Sequence, residues 1–280
     1  MKKILITGAN SYIGMSFEKY IKENYNDSYI VDTVDMIDGT WREKDFSGYD
    51  SVFHVAGIAH IKETEENAHL YYEVNRDLAV ETAKKAKCDG VKQFVFLSSM
   101  SVYGIDTGVI TKDTIPTPKS NYGKSKLQAE EELLKLQDES FKIAIVRPPM
   151  VYGKGCKGNF QSVVKIVKKL PVFPKVNNQR SMIFIDTLSE YVKSYIDGMV
   201  SGLFLPQNKE YMNTSQMAKA ISEKLNKRIY LSVMLGIAVK IMCPFVGVAN
   251  KAFGTLVYEK EDNVVEIKEK TNKESVLESV

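Results

Sequence analysis

The chain predicts an α/β fold, a doubly wound parallel sheet with helices on both faces, followed by a small, reduced C-terminal lobe. Three observations predict it. Apolar runs near 3–7, 29–34, 51–55, 93–98 and 142–147 have strand length, and helical periodicity occupies 13–23, 68–86 and 122–137. Strand and helix in turn build βαβ units and hence a parallel sheet. The opening MKKILITGANSYIGMSFEKYI sets Gly8, Ser11 and Gly14 at the small-residue positions of a tight strand-to-helix turn. Beyond Arg147-Pro148-Pro149, Gly and Pro become more frequent and strands shorter, which divides the chain into a domain of residues 1–150 and a lobe of residues 151–280.

Composition bounds the class. With 280 residues and 44% apolar content, the chain can bury a sizeable core in one large or two modest domains. Its 38 basic and 35 acidic residues are mixed along the sequence for a net charge of +3, so no polybasic arm points to nucleic acid. Cys88, Cys156 and Cys243 are few and widely spaced, which fits a reducing cytoplasm and offers neither a disulfide framework nor a metal-ligand cluster. The apolar run after Met1-Lys2-Lys3 is too short for a secretion signal, so a cytoplasmic location is expected. Residues 231–258 form the most apolar stretch. Lys240 and Pro244 interrupt it below the ~18 to 20 residues of a spanning helix, so a pair of packed helices around a proline break is expected, with peripheral membrane contact as the alternative.

The loops after the strands carry the chemistry, because ligands of open parallel sheets sit at the strands' carboxyl ends. In the first turn Gly8 permits the bend, Gly14 lets helix pack on strand, and Asn10, Ser11, Tyr12 and Ile13 surround the helix N-terminus, a ready site for a pyrophosphate. Ser11 adds a Cβ and a hydroxyl where glycine is usual, and the motif alone also reads as a structural βα turn. About 20 residues on, Asp32 is the candidate for the ribose hydroxyls of a dinucleotide, with Asp35 and Asp38 as neighbours that blur the choice. After the third strand, Val55, Ala56 and Gly57 are small enough for a cofactor to lie against the backbone. His54 and His60 are acid/base candidates that also read as structural, and His69 reads as structural.

The strongest signal follows. A buried strand ends in Ser98-Ser99, and Tyr122 and Lys126 then open a helix at i and i+4, on one face. The Lys126 ammonium can lower a phenol pKa that starts near ~10, so that Tyr122 acts as a base while Ser99 holds a substrate oxygen.

Together, TGANSYIG, FHVAG, YEVN, FLSSMSVYG, YGKSK, RPPMVYG and RSMIFIDTL resemble the extended short-chain dehydrogenases/reductases, in their NAD-dependent sugar-nucleotide epimerase/dehydratase family. The matching stretches run from residue 4 to about 190. The resemblance implies a Rossmann-type fold and a catalytic set of Ser99, Tyr122 and Lys126. It places Asn75 and Pro149 with the cofactor residues and sets Tyr152 beside the nicotinamide. Ser99, Ser101, Tyr152, Asn159 and Arg180 become substrate contacts, the last two on the diphosphate. It also implies NAD, or alternatively NADP, a nucleotide-diphosphate sugar as substrate, and a homodimer. No metal is expected.

The residues after Ser99 narrow the reaction within that resemblance. Family dehydratases carry Asp-Glu there, and C3 or C5 epimerases a cysteine; here Met100 and Ser101 follow. What remains is redox chemistry at the sugar C4, either a 4-epimerase or a 4-keto sugar reductase using the same side chains. A carboxylate at Asp32 with no Arg or Lys between residues 25 and 41 favours NAD over NADP. NAD recycling favours the epimerase, here a UDP-hexose or UDP-N-acetylhexosamine 4-epimerase. A cofactor-binding module without catalysis is the third reading.

Overall fold

A computed structural model describes residues 1–59, 61, 63–243, 245–260 and 267–280. The elements run β1 (Lys2–Thr7), α1 (Tyr12–Asn24), β2 (Tyr29–Val34), β3 (Ser51–His54), α2 (Ala68–Tyr72), α3 (Leu78–Cys88) and β4 (Gln93–Leu97). Next come β5 (Gly108–Ile110), α4 (Asn121–Leu134), β6 (Lys142–Val146), β7 (Met150–Tyr152), α5 (Asn159–Lys169), β8 (Val172–Pro174) and β9 (Met182–Phe184). The remainder holds α6 (Ile185–Asp197), β10 (Gly202–Phe204), α7 (Thr214–Lys224), β11 (Tyr230–Ser232), α8 (Val233–Met242), α9 (Gly247–Phe253), β12 (Leu256–Tyr258) and α10 (Asn272–Ser279). Two compact units result: one comprises residues 1–104, 116–148 and 188–206, the other residues 105–115, 149–187 and 207–280.

The first unit is built on a six-stranded, all-parallel sheet of order β10-β6-β4-β3-β1-β2, as the alternation of strand and helix predicts. Its inner strands are buried on both faces, which is why Ile4, Leu5 and Ile6, or Phe94, Val95 and Phe96, read as continuous apolar runs. One face packs Ala79, Ala83 and Ala86 of α3 against Phe94 and Phe96, where small side chains let the helix lie close. Phe17 of α1 meets Phe53 edge-on, with ring centroids 5.1 Å apart. Because β1 lies between β2 and β3, the direction of strand addition reverses at β1. The carboxyl ends of β1 and β3 therefore flank the switch point where ligands of such sheets bind.

The helix expected over 68–86 is not uniform. A π-helical turn, Glu73–Asp77, joins α2 to α3 and carries the buried Asn75. Such turns insert an extra residue and often mark functional sites.

In the second unit the strands are three residues long and form three parallel pairs, β8 with β11, β5 with β12 and β7 with β9. The apolar stretch 231–258 yields α8 and α9, with Pro244 between them outside the described residues. The expectation of packed helices needs correcting for α8, in which only Gly236 is buried. Among the described residues no helix is long and apolar enough to cross a membrane.

Candidate active site

β1 passes into α1 through Gly8, at φ +104. A Cβ there would lie 2.8 Å from the backbone nitrogen of Ala56, in a conformation that L side chains rarely adopt, so the site requires glycine. Asn10 takes the left-handed φ of 66 that asparagine tolerates better than most residues. Ser11 is the N-cap of α1, its Oγ accepting the Gly14 N–H at 3.2 Å. The residue found where glycine is usual thus closes the helix's first turn. A Cβ on Gly14 would lie 3.1 Å from both Ile6 and Val55, so the last glycine sets helix against strand.

Backbone bonds gather the strand ends under this turn. Gly8 and Ala9 donate to the Val34 carbonyl at 3.0 Å each, and Val55 and Ala56 donate to the Thr7 carbonyl at 3.1 and 3.0 Å. The positive end of α1, with Tyr12 and Ile13 in its first turn, stands over the junction. A turn that only glycine can make beneath a helix N-terminus fits a dinucleotide's pyrophosphate.

The three aspartates separate. Asp32 lies within β2 and accepts the Tyr49 hydroxyl at 2.8 Å, while Asp38 binds the N–H and hydroxyl of Thr40. Asp35 directly follows Val34, the residue whose carbonyl receives Gly8 and Ala9. The carboxylate at the strand end is therefore Asp35, not the Asp32 that the spacing favoured.

The loop after β3, the π-helical turn and α4 converge. Asn75 is fully buried; its Oδ1 accepts the Ile58 N–H at 2.9 Å, and its Nδ2 donates to the Ile58 carbonyl and to Ser125 Oγ at 3.1 Å each. With amide oxygen and nitrogen both engaged, Asn75 clamps the loop to α4, which differs from the direct cofactor contact expected of it. Gly57 completes the group, since a Cβ there would lie 2.8 Å from Asn75 Oδ1 and 3.4 Å from Lys126 Nζ.

Lys126 is buried, its Nζ donating to the Leu97 carbonyl at 2.9 Å and lying 4.6 Å above the Phe96 ring. Burial pushes this ammonium down to about 8, with Glu130 acting in the opposite direction. Tyr122, half-buried one turn earlier on α4, has the Ser99 hydroxyl near its phenol. Burial raises its phenol above the ordinary value of 10.0, and the neighbouring Ser99 hydroxyl opposes the rise. The lowering expected from Lys126 is not what the structure shows, because the ammonium is turned to a backbone carbonyl. Ser99 Oγ also donates to Ser101 Oγ at 3.2 Å and accepts the Ser101 N–H at 3.1 Å.

Sequence reasoning missed the support under these residues. Glu130, one turn beyond Lys126, is buried in an ion pair with Arg147, whose Nη2 lies 2.5 Å from Oε2. Arg147 Nη1 donates to the Tyr103 hydroxyl at 2.9 Å, and Ser98 donates to Glu130. The signal was present: Tyr122, Lys126 and Glu130 recur at i, i+4 and i+8 on one helix face. His54, by contrast, is fully buried in β3, with Nδ1 2.7 Å from Thr7 Oγ1. Burial, then Lys126, push it down to about 3, so it stays neutral and structural. His69 is exposed on α2, and His60 lies outside the described residues.

The remaining expected contacts belong to the second unit. Pro149 is buried at the start of one of its segments. Tyr152 is 0% exposed, stacks on Phe160 with centroids 5.5 Å apart and shares its hydroxyl with Ser275 and Asn208, which makes it a core residue rather than the ligand contact expected. Asn159 is exposed at the first position of α5. Arg180 is half-buried; Nη1 donates to the Gly254 carbonyl at 2.9 Å, and Nε is buried without a partner among the described residues. Desolvation lowers its pKa.

The profile of the NAD dependent epimerase/dehydratase family matches residues 4–193. The chain is 32% identical over 252 residues to UDP-glucose 4-epimerase of Vibrio cholerae, covering 81% of this chain and 76% of that protein. It is 24% identical to N-acetyl-alpha-D-glucosaminyl-diphospho-ditrans,octacis-undecaprenol 4-epimerase of Escherichia coli O157:H7, covering 81% and 73%. UDP-glucuronic acid 4-epimerase of Bacillus cereus, solved in complex with NAD, shares the fold at TM-score 0.74 and 17% identity, covering 99% of this chain and 96% of that one. Parallel sheet, glycine turn and sequence likeness agree, and the chain is an enzyme of the NAD dependent epimerase/dehydratase family.

Proposed function

We propose that the chain is an NAD-dependent 4-epimerase of a nucleotide-diphosphate sugar, a UDP-hexose or UDP-N-acetylhexosamine. The observation that carries this reading is the placement of Tyr122 beside Ser99 at the carboxyl end of β4, followed by a turn, Met100–Tyr103, that holds no carboxylate or thiol. Those residues can exchange a proton with one sugar hydroxyl and have no second acid or base with which to expel water. The similarity to a UDP-glucose 4-epimerase supports the same reading.

Gly8, the first turn of α1, Asp35 and the Val55–Gly57 loop would hold the dinucleotide. NAD, when bound, supplies the hydride acceptor and donor at C4. Tyr122 takes the proton of the sugar 4-hydroxyl and returns it after the keto sugar has turned its other face, while Ser99 holds the same oxygen. Its raised pKa makes the phenolate a stronger base and a rarer species. Lys126 places a positive charge beside the loop that Gly57 and Asn75 form. Arg180, half-buried with its Nε unpartnered among the described residues, would pair with the substrate diphosphate, as would Asn159.

The test is to incubate the protein with UDP-glucose or UDP-N-acetylglucosamine and a catalytic amount of NAD, following the C4 configuration by NMR. The expected result is interconversion of C4 epimers without net reductant. Inertness toward both, together with stoichiometric NAD(P)H oxidation by 4-keto nucleotide sugars, would replace the epimerase with a reductase.

A further inference from the structure

The second unit presents an apolar surface that the reaction does not use. Met234 on α8 is 82% exposed and Phe245, just beyond it, 85%; Ile237 and Ile241 of α8 and Tyr230 of β11 are exposed as well. The cause is local. Gly236 is the one buried residue of α8, and a Cβ there would lie 2.0 Å from the Lys175 carbonyl oxygen. The helix backbone rests directly on the segment after β8, and its larger side chains project away. Large apolar side chains exposed together on one helix mark an interaction surface more often than not.

Charge identifies the occupant. Between Glu223 and Glu259 every charged residue is basic, and no Asp or Glu occurs between Glu139 and Asp186. Exposed cations lie on α8 and on the segments packed with it, Lys240 on α8, Lys175 after β8 and Lys251 on α9, with Lys169 and Arg228 exposed beside β8 and β11 in sequence. A second copy would bring these cations against one another as the apolar faces met. A surface that is apolar within and anionic at its rim meets neither penalty, and a bilayer containing anionic phospholipid is such a surface. Ten residues of α8 make a helix of about 15 Å, suited to lying in the headgroup region and too short to span.

We propose that α8 and the residue Phe245 dock the protein on anionic lipid bilayers, with apolar side chains inserted and the basic rim paired to headgroups. The proposal rests on the second unit alone, so it stands or falls independently of which sugar reaction the enzyme catalyses. Each cation at an anionic surface strengthens binding by about fivefold, and salt screens that part.

The experiment is flotation of the full-length protein with vesicles of phosphatidylcholine alone and of phosphatidylcholine with phosphatidylglycerol. The mixed vesicles should bind at least about tenfold more tightly, and raising NaCl from about 0.1 to about 0.5 M should weaken binding by a similar factor. The double variant Met234→Asp, Phe245→Asp should lose vesicle binding while keeping its circular dichroism spectrum and NAD affinity, because both side chains are exposed. Charge reversal by Lys240→Glu with Lys251→Glu should abolish the preference for anionic lipid. Absence of binding to either vesicle overturns the proposal, as does binding that survives the double aspartate variant. A dimer by sedimentation that Met234→Asp dissociates, without lipid binding, would reassign the patch to a second copy.

Discussion

Tyr122 and Lys126 share a helix face, yet the ammonium binds the Leu97 carbonyl while the phenol faces Ser99. Tyr122→Phe should keep NAD affinity and lose about 10² to 10⁴ in kcat, since the ring fills the same space without the transferable proton. Loss of NAD binding in that variant would mean that the hydroxyl holds the cofactor rather than serving only the transferred proton. Burial also makes Lys126 a contributor to pH-dependent stability. Its folded value of about 8 lies below the ordinary 10.5, so between these values the unfolded chain holds a proton that the folded chain has released. The contribution of this group to stability therefore rises with pH across that window. Urea titrations at several pH values should show the rise in wild type and its absence in Lys126→Met; identical profiles would refute the assignment. For the cofactor carboxylate, spacing and the end of β2 point to different residues. Sequence offered Asp32, Asp35 and Asp38 within one turn-rich stretch, and only the end of β2, at Val34, separates them. Asp35→Ala should weaken NAD binding by about tenfold or more through lost charged hydrogen bonds, whereas Asp32→Ala should cost little. The reverse ranking in a calorimetric titration would restore Asp32.

Among the elements, those long enough to show a period were legible. α1, α4 and the inner strands β1, β3, β4 and β6 lie close to where alternation of apolar runs and helical spacing put them. Three-residue strands such as β5 and β12, paired in parallel across a long stretch of chain, carry no period from which to be read. The π-helical turn was equally hidden, because its cause is non-local: Asn75 must reach Ile58 on one side and Ser125 on the other. The Glu130–Arg147 pair ties α4 to the end of β6 at the same depth. Glu130→Ala would leave the Arg147 guanidinium buried beside Tyr103 without its carboxylate. Removing one partner of such a pair costs about 3 to 5 kcal/mol, so a clear fall in Tm is expected in differential scanning calorimetry. A Tm within about 1 °C of wild type would show the pair to be dispensable. Gly8→Ala should also be damaging, as its Cβ would press on the Ala56 backbone at a φ of +104.

At the scale of the whole molecule, the parallel sheet, its reversal at β1 and the loops at its carboxyl ends bring residues far apart in sequence to one end of the first unit's sheet. Gly8, Val55, Gly57 and Ser99 all follow strand ends, the positions that the strand rule singles out. The second unit was less legible. Tyr152 turns out to be core, and Arg180 is marked by a buried Nε that only the structure reveals. The proposed reaction is internally redox-neutral, and that property can be measured without knowing the pathway. The most direct test supplies a UDP-sugar carrying deuterium at C4, with catalytic NAD, and examines the product by NMR. The account predicts both C4 epimers with deuterium retained at C4 and no accumulation of reduced cofactor. Loss of the label to solvent, or turnover only of 4-keto sugars with one NAD(P)H consumed per product, would contradict it.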